Sequence, residues 1–340
     1  MPVLNIAMVG SDDLAKEIAK PTDQRDVHTY VHKENGPDGA RILSLIRPAK
    51  YPERLRPFLN ALSAARVGII EITAIDGTLG EALVAFSSSK ILRGIAIINP
   101  ADGAWIDDAQ VKMLFKQAGL ENWIFGTKDG IELRTQLYQF MDEIKQELND
   151  ASSSPLVIPI DQHFNVKGIG LVAIGYVQSG TVNVHDELIL LPAEGTGNAK
   201  SLQVMDDDVS SATAGDRVGL ALRNAKEEHL SSGSILVHPA VEDKKTNTSI
   251  PLSVELHKRS KVELEVSPFQ KRILVEGDVV HASVDLQFVV GRIQSVSGSS
   301  IEVEWESPLF IRRESPEPTV LSQLDSKPRI MGSAYLTKIE

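Results

Sequence analysis

The sequence predicts a multidomain chain, one α/β domain followed by two all-β domains, and three observations carry that expectation. Up to about residue 150, apolar runs of strand length alternate with segments of helical period. Beyond a polar linker the runs shorten and are separated by Gly, Asp, Asn and Ser turns. The length, 340 residues, exceeds what one core serves, since a domain takes roughly 100–200 residues.

Leu4–Val9, Val67–Thr73, Gly94–Ile98 and Trp123–Phe125 read as strands, and Asp107–Ala118 and Ile131–Leu148 as helices. Their alternation predicts a parallel sheet covered by helices. Asp107 and Asp108 place negative charge where the helix at Ala109 begins, against its unpaired N–H groups. The polar stretch NDASSSP, Asn149–Pro155, reads as a linker. After it, LVAIGYVQSGTVNVHDELILL has the short-strand texture of a barrel or sandwich. A second polar break, EDKKTNTS at Glu242–Ser249, divides the β part in two, giving expected domains at 1–150, 155–240 and 250–340.

Composition excludes several classes. There is no cysteine, hence no disulfide and no thiolate metal site. No run of about 18 apolar residues occurs, and MPVLNIAMVG has neither a basic segment nor a cleavage site, so the expectation is a soluble, cytoplasmic protein without a membrane partner. A formal charge of −11 argues against indiscriminate nucleic-acid binding, and DNA is not expected as a partner. A local basic patch is compatible with it.

One stretch has the outline of a phosphate loop. In G-x-x-x-x-G-K-[ST] the glycines turn backbone N–H groups toward phosphates, the lysine meets the terminal oxygens and the hydroxyl binds magnesium. Gly10-Ser11-Asp12-Asp13-Leu14-Ala15-Lys16-Glu17 follows a predicted strand and keeps Gly10 and Lys16. Ala15 stands for the second glycine and Glu17 for the hydroxyl, while Asp12 and Asp13 bring negative charge toward any phosphate. A plain strand-turn-helix is the competing reading. His28 and His32 are spaced i, i+4 but lie in the β-branched, turn-rich VHTYVHKENG and read as exposed strand residues, with no third ligand for a metal. Asp206-Asp207-Asp208 reads as a solvated loop rather than a calcium site. No catalytic residue and no metal ligand is assigned. Basic clusters at His257–Lys261, Gln270–Arg272, Ile311–Arg313 and Lys327–Arg329 gather in the last third of this acidic chain, either as solvated strand rims or as a backbone footprint for an RNA.

The β part also carries a family pattern. HFNVKGIGLVAIGYVQSGTVNVHDELIL (163–190) and ATAGDRVGLALRNAKEEHLSSGSIL (212–236) closely resemble the second domain of the translational GTPases, the group of elongation factor Tu and SelB. SPFQKRILVEGDVVHASVDLQFVVGRI and KPRIMGSA look like the third domain in the archaeal SelB-like branch, the branch of the factor proposed for pyrrolysine. The resemblance covers nearly the whole chain and implies a P-loop-GTPase-like α/β domain followed by two β-barrels. It implies aminoacyl-tRNA and the ribosome as partners, and GTP or GDP as cofactor, with magnesium only where nucleotide binds.

Position by position, the resemblance implies a degenerate first domain. The D-x-P-G-H element falls on Arg47-Pro48-Ala49-Lys50-Tyr51, which keeps none of its chemical residues, and the interval before it is too short for a full first switch segment. The base-reading N-K-x-D falls on Asn99-Pro100-Ala101-Asp102, keeping Asn99 and Asp102; a bare strand-to-loop turn is the bland alternative. FGTKDG, 125–130, takes the place of the S-A-[KL] loop. Gly10, Lys16, Asn99 and Asp102 are therefore the candidate nucleotide contacts. Arg223, matching the family arginine after L-x-L, and Arg312, Arg313, Lys327 and Arg329 are the candidate aminoacyl and tRNA contacts. Ile169 stands where the family carries a basic residue. Two readings stay open: an elongation factor delivering a specific aminoacyl-tRNA with impaired GTP hydrolysis, or a non-enzymatic pseudo-GTPase module for RNA or protein partners.

Overall fold

The computed structural model describes residues 2–36, 39–101, 104–243 and 248–339. In chain order the first part comprises β1 (Val3–Val9), α1 (Asp12–Ile18), β2 (Lys20–Gln24), β3 (Val27–Gly36), β4 (Gly39–Pro48), α2 (Leu55–Ala64), β5 (Val67–Ile72), α3 (Gly77–Ser88), β6 (Gly94–Ile98), α4 (Asp108–Gln117), β7 (Ile124–Gly126), α5 (Gly130–Glu143) and α6 (Lys145–Ser152). The strands form one seven-stranded sheet in the order β2-β3-β4-β1-β5-β6-β7. From β4 to β7 the neighbours are parallel; β2, β3 and β4 are antiparallel.

Both faces of this sheet are covered. Leu14 and Ile18 of α1 and Leu133 and Leu137 of α5 bury one face with Leu4, Ile6 and Ile69. Phe58 of α2, Phe86 of α3 and Phe115 of α4 bury the other, together with Trp123. Burial on both sides explains why β1, β5 and β6 read as continuous apolar runs. The expected helix over Ile131–Leu148 is two helices meeting at Ile144, and Asp107 caps α4 by accepting from the Ala109 N–H at 2.9 Å. Only Ala19 separates α1 from β2. A hairpin therefore stands directly after α1, where the sequence predicted a shortened switch segment.

The second part contains β8 (Ile158–Val166), β9 (Gly170–Tyr176), β10 (Thr181–Asn183), β11 (Glu187–Leu191), β12 (Gly195–Val204), β13 (Asp207–Val209), β14 (Ser211–Thr213), β15 (Arg217–Arg223) and β16 (Ile235–Val237). The ladder β11-β16-β8-β9-β15-β12 is closed by a pairing of β11 with β12, which makes a barrel. A two-stranded ribbon, β17 (Val241–Asp243) with β18 (Thr248–Ile250), follows. The third part, β19 (Val254–Val266), β20 (Val279–Val284), β21 (Gln287–Ser297), β22 (Ser300–Arg312), β23 (Thr319–Ser322) and β24 (Ile330–Ile339), closes as β19-β22-β21-β20-β23-β24. Closure removes free sheet edges, and each barrel fills its interior with aliphatic side chains. One α/β domain with two β-barrels is the architecture the sequence predicted.

The three parts pack on one another. The cluster under α2 and α3 takes in Tyr176 of the second part and Leu286, Val320 and Ile330 of the third. Polar contacts reinforce it: Asn5 Nδ2 donates to the Gly215 carbonyl at 2.8 Å, and Arg66 reaches Gln178 Oε1 at 2.9 Å and Glu317 at 3.5 Å. No helix among the described residues is long and apolar enough to cross a membrane.

Candidate functional site

Parallel strands deliver their following loops to one edge of the sheet, the usual place for a ligand in an open α/β sheet. Here the loops after β1, β6 and β7 bring Gly10, Ser11, Asn99 and Lys128 to Glu71 at the end of β5. The Ser11 N–H donates to Glu71 Oε2 at 2.6 Å, and Asn99 Nδ2 donates to Glu71 Oε1 at 2.7 Å. Lys128 Nζ lies 3.8 Å from the same Oε1. Arg47 Nε donates to the Gly10 carbonyl at 2.7 Å. The Glu71 side chain is 2% exposed. Burial alone would raise its pKa, but the hydrogen bonds from Ser11 and Asn99 and the nearby Lys128 outweigh that and hold it ionised below the usual glutamate value.

Gly10 is needed for this packing. A Cβ there would lie 3.0 Å from Glu71 Cβ and 3.2 Å from Glu71 Oε2, closer than ordinary van der Waals contact.

The predicted nucleotide contacts divide. Gly10 and Asn99 meet at Glu71. Lys16 does not join them: it sits on the exposed face of α1, 2.5 Å from Asp12, which also accepts from the Tyr30 hydroxyl. The one-turn offset that places Lys16 opposite Asp12 makes a helix i, i+4 ion pair of it. Asp102 lies outside the described residues. Tyr51 is packed 4.4 Å from the Phe58 ring and donates to the Thr78 carbonyl at 3.2 Å and Glu81 at 3.3 Å; burial pushes its phenol well above the usual range.

The predicted tRNA contacts divide as well. Arg223 is exposed at the end of β15, beside the β8–β9 turn, since Leu222 pairs with Leu171. Lys167 and Ile169 are exposed in that turn, and Lys200 Nζ donates to the Ile169 carbonyl at 3.3 Å. One rim of the second barrel thus carries Lys167, Lys200 and Arg223. Lys327 is exposed, and Arg313 is partly exposed with Glu255 at 3.4 Å.

Arg312 and Arg329 are corrections. Arg312 is 6% exposed in its side chain and paired with Asp285, 1% exposed, its Nε donating at 2.9 Å. Arg329 Nε donates to Glu81 of α3 at 2.9 Å and its Nη2 to the Pro52 carbonyl at 2.7 Å. Both guanidiniums are consumed inside the molecule, Arg329 as a clasp between the third barrel and the first domain. His28 and His32 lie on β3, and among the described residues no three His, Asp or Glu side chains converge as a metal site would require.

Sequence reasoning missed Glu71. Its one signal is a lone acid inside the apolar run VGIIEIT, which needs a partner when buried.

Comparison with known proteins agrees with the architecture. Residues 170–237 match the model of elongation factor Tu domain 2. The chain is 31% identical over 211 residues to the selenocysteine-specific elongation factor of Methanocaldococcus jannaschii, covering 57% of this chain and 44% of that one. The chain is similar to the translational GTPases, with factors of the SelB type among its relatives. A further superfamily relative is the elongation factor 1-alpha of Cenarchaeum symbiosum, 25% identical over 46% of this chain and 34% of that one. An uncharacterised protein of M. jannaschii aligns end to end, 26% identical over 99% of this chain and 100% of its own length. Among solved structures, translation elongation factor SelB of Methanococcus maripaludis in complex with the GTP analogue GppNHp superposes with a TM-score of 0.74, at 19% identity, over 100% of this chain and 80% of that one. The protein is translation elongation factor-like, and it spans less than half the length of the selenocysteine-specific factor it matches.

The superfamily implies guanine nucleotide and magnesium at the loop edge of the sheet. The residues there do not fit that group. Glu71 occupies the Ser11 N–H of the phosphate-loop segment and the Asn99 amide of the base-reading segment, Lys16 is paired with Asp12, and Arg47 donates to the Gly10 carbonyl.

Proposed function

We propose that this protein binds a particular aminoacyl-tRNA through its barrels and delivers it to the ribosome, without hydrolysing GTP by the family mechanism. The single observation that carries the reading is the match of 170–237 to elongation factor Tu domain 2, on a barrel whose rim presents Lys167, Lys200 and Arg223. On a chain of net charge −11, phosphate contacts have to be local, and this rim offers them.

The reading divides the work among the chain's own groups. Arg223 and its neighbours meet the acceptor end and its backbone as point charges and fork donors. Exposed Lys327 and Arg313 extend the contact along the third barrel. Loss of hydrolysis is supported by Arg47, which inverts the charge at the metal-shell position, and by Tyr51, whose hydroxyl stays protonated and bonded to Thr78 and Glu81.

Gel-shift titration with aminoacylated and deacylated tRNA, at several salt concentrations, tests this. The aminoacylated form binds more tightly. Arg223→Glu weakens binding by about tenfold, equal to ~1.4 kcal/mol, and lowers the salt slope by about 1. Equal, weak binding of both forms, unmoved by Arg223→Glu, contradicts the reading.

A further inference from the structure

Glu71 lies at the end of β5, next to the loop after β1. Three donors from three separate loops converge on its carboxylate: the Ser11 N–H at 2.6 Å, the Asn99 amide at 2.7 Å and the Lys128 ammonium at 3.8 Å. Such a set, one backbone N–H, one side-chain amide and one cation, is what a protein assembles around an anion it must desolvate. The anion here is supplied by the chain. Its oxygens are nearly sealed from water, and Gly10 packs against its Cβ with no room for a side chain. Arg47 then donates to the Gly10 carbonyl, so the Gly10–Ser11 peptide group is held at both its carbonyl and its N–H.

We infer that Glu71 is a resident anion at the loop edge of the sheet, so that a nucleotide reaches Ser11, Asn99 and Lys128 only by displacing it. The first domain is thereby held in one arrangement by a permanent contact. Asn99, a predicted guanine contact, serves instead as a donor to this carboxylate. Lys128, in the loop expected to flank a base, is directed to the same point. The device rests on the first domain alone and stands or falls separately from tRNA binding by the barrels.

Two measurements on the full chain test it. Calorimetric titration of the wild type with GDP and with inorganic pyrophosphate shows no binding tighter than about 1 mM; micromolar binding of either overturns the inference and needs no variant. The second measurement is thermal melting of Glu71→Ala. Removal of the carboxylate leaves the Ser11 N–H and the Asn99 amide without their partner, so the variant melts below the wild type. Sodium formate raises its Tm by about 2–4 °C over sodium chloride at the same ionic strength, while the wild type responds to the two salts alike. A Glu71→Ala protein that melts with the wild type, or that formate does not restore, overturns the inference. Where Glu71→Ala does not fold, the wild-type titration decides alone.

Discussion

Charged residues here are defined by their partners, and the pair Arg312 and Arg313 shows how far neighbours can diverge. β22 ends at Arg312 with four consecutive buried residues, so Arg312 faces inward onto Asp285 and Glu317, while Arg313, just past the strand, meets solvent and Glu255. Its guanidinium stays charged because Asp285 and Glu317 outweigh desolvation. Arg312→Ala strands a buried carboxylate, and the expected loss is about 3–5 kcal/mol, read as a lower urea midpoint with an unchanged m-value. Pairing Arg312→Met with Asp285→Leu recovers most of it; a single variant as stable as the wild type contradicts the assignment. The sequence shows that Arg312 is basic and clustered. Which way it points depends on strand register, which the cluster does not encode.

At the scale of elements, the alternation of apolar runs and helical periods was enough to place the parallel sheet, because burial on both faces leaves little freedom in composition. The β2–β3 hairpin was harder to read. Its strands bury only Thr29 and Tyr30 and lack a continuous apolar signal, and what distinguishes it is its position one residue after α1. Glycines inside strands mark close approaches: a Cβ on Gly68 of β5 would fall 2.4 Å from a Trp123 ring atom and 2.5 Å from Phe86. These rings fill the face under α3 and α4, with Phe86 and Trp123 5.0 Å apart and edge-on. Gly68→Ala therefore overpacks a buried layer and costs about 1–3 kcal/mol, seen as a lower Tm; an unchanged Tm shows that the layer is loose enough to yield.

For the whole molecule, two kinds of information separate. The barrel pattern in 163–236 carries the family resemblance because turn glycines and strand spacing are set by closure of the barrel. The first-domain site was only half legible. The departures at Ala15, Glu17, Arg47 and Tyr51 can be read from a line of sequence, whereas the cluster at Glu71 joins residues 11, 71, 99 and 128 and exists only once the sheet brings those loops together. The same holds for the clasps Arg329–Glu81 and Arg66–Glu317, which fix the first domain against the third barrel. On the function proposed above, a molecule held by these clasps and by the Glu71 contacts carries its aminoacyl-tRNA without a nucleotide switch. The most direct test is the rate of spontaneous hydrolysis of an aminoacyl-tRNA ester in the presence of the protein, with no nucleotide added. Slower hydrolysis, lost in Arg223→Glu and unaffected by added GTP, is the predicted result; hydrolysis at the free rate, or protection that appears only with GTP, would contradict the account.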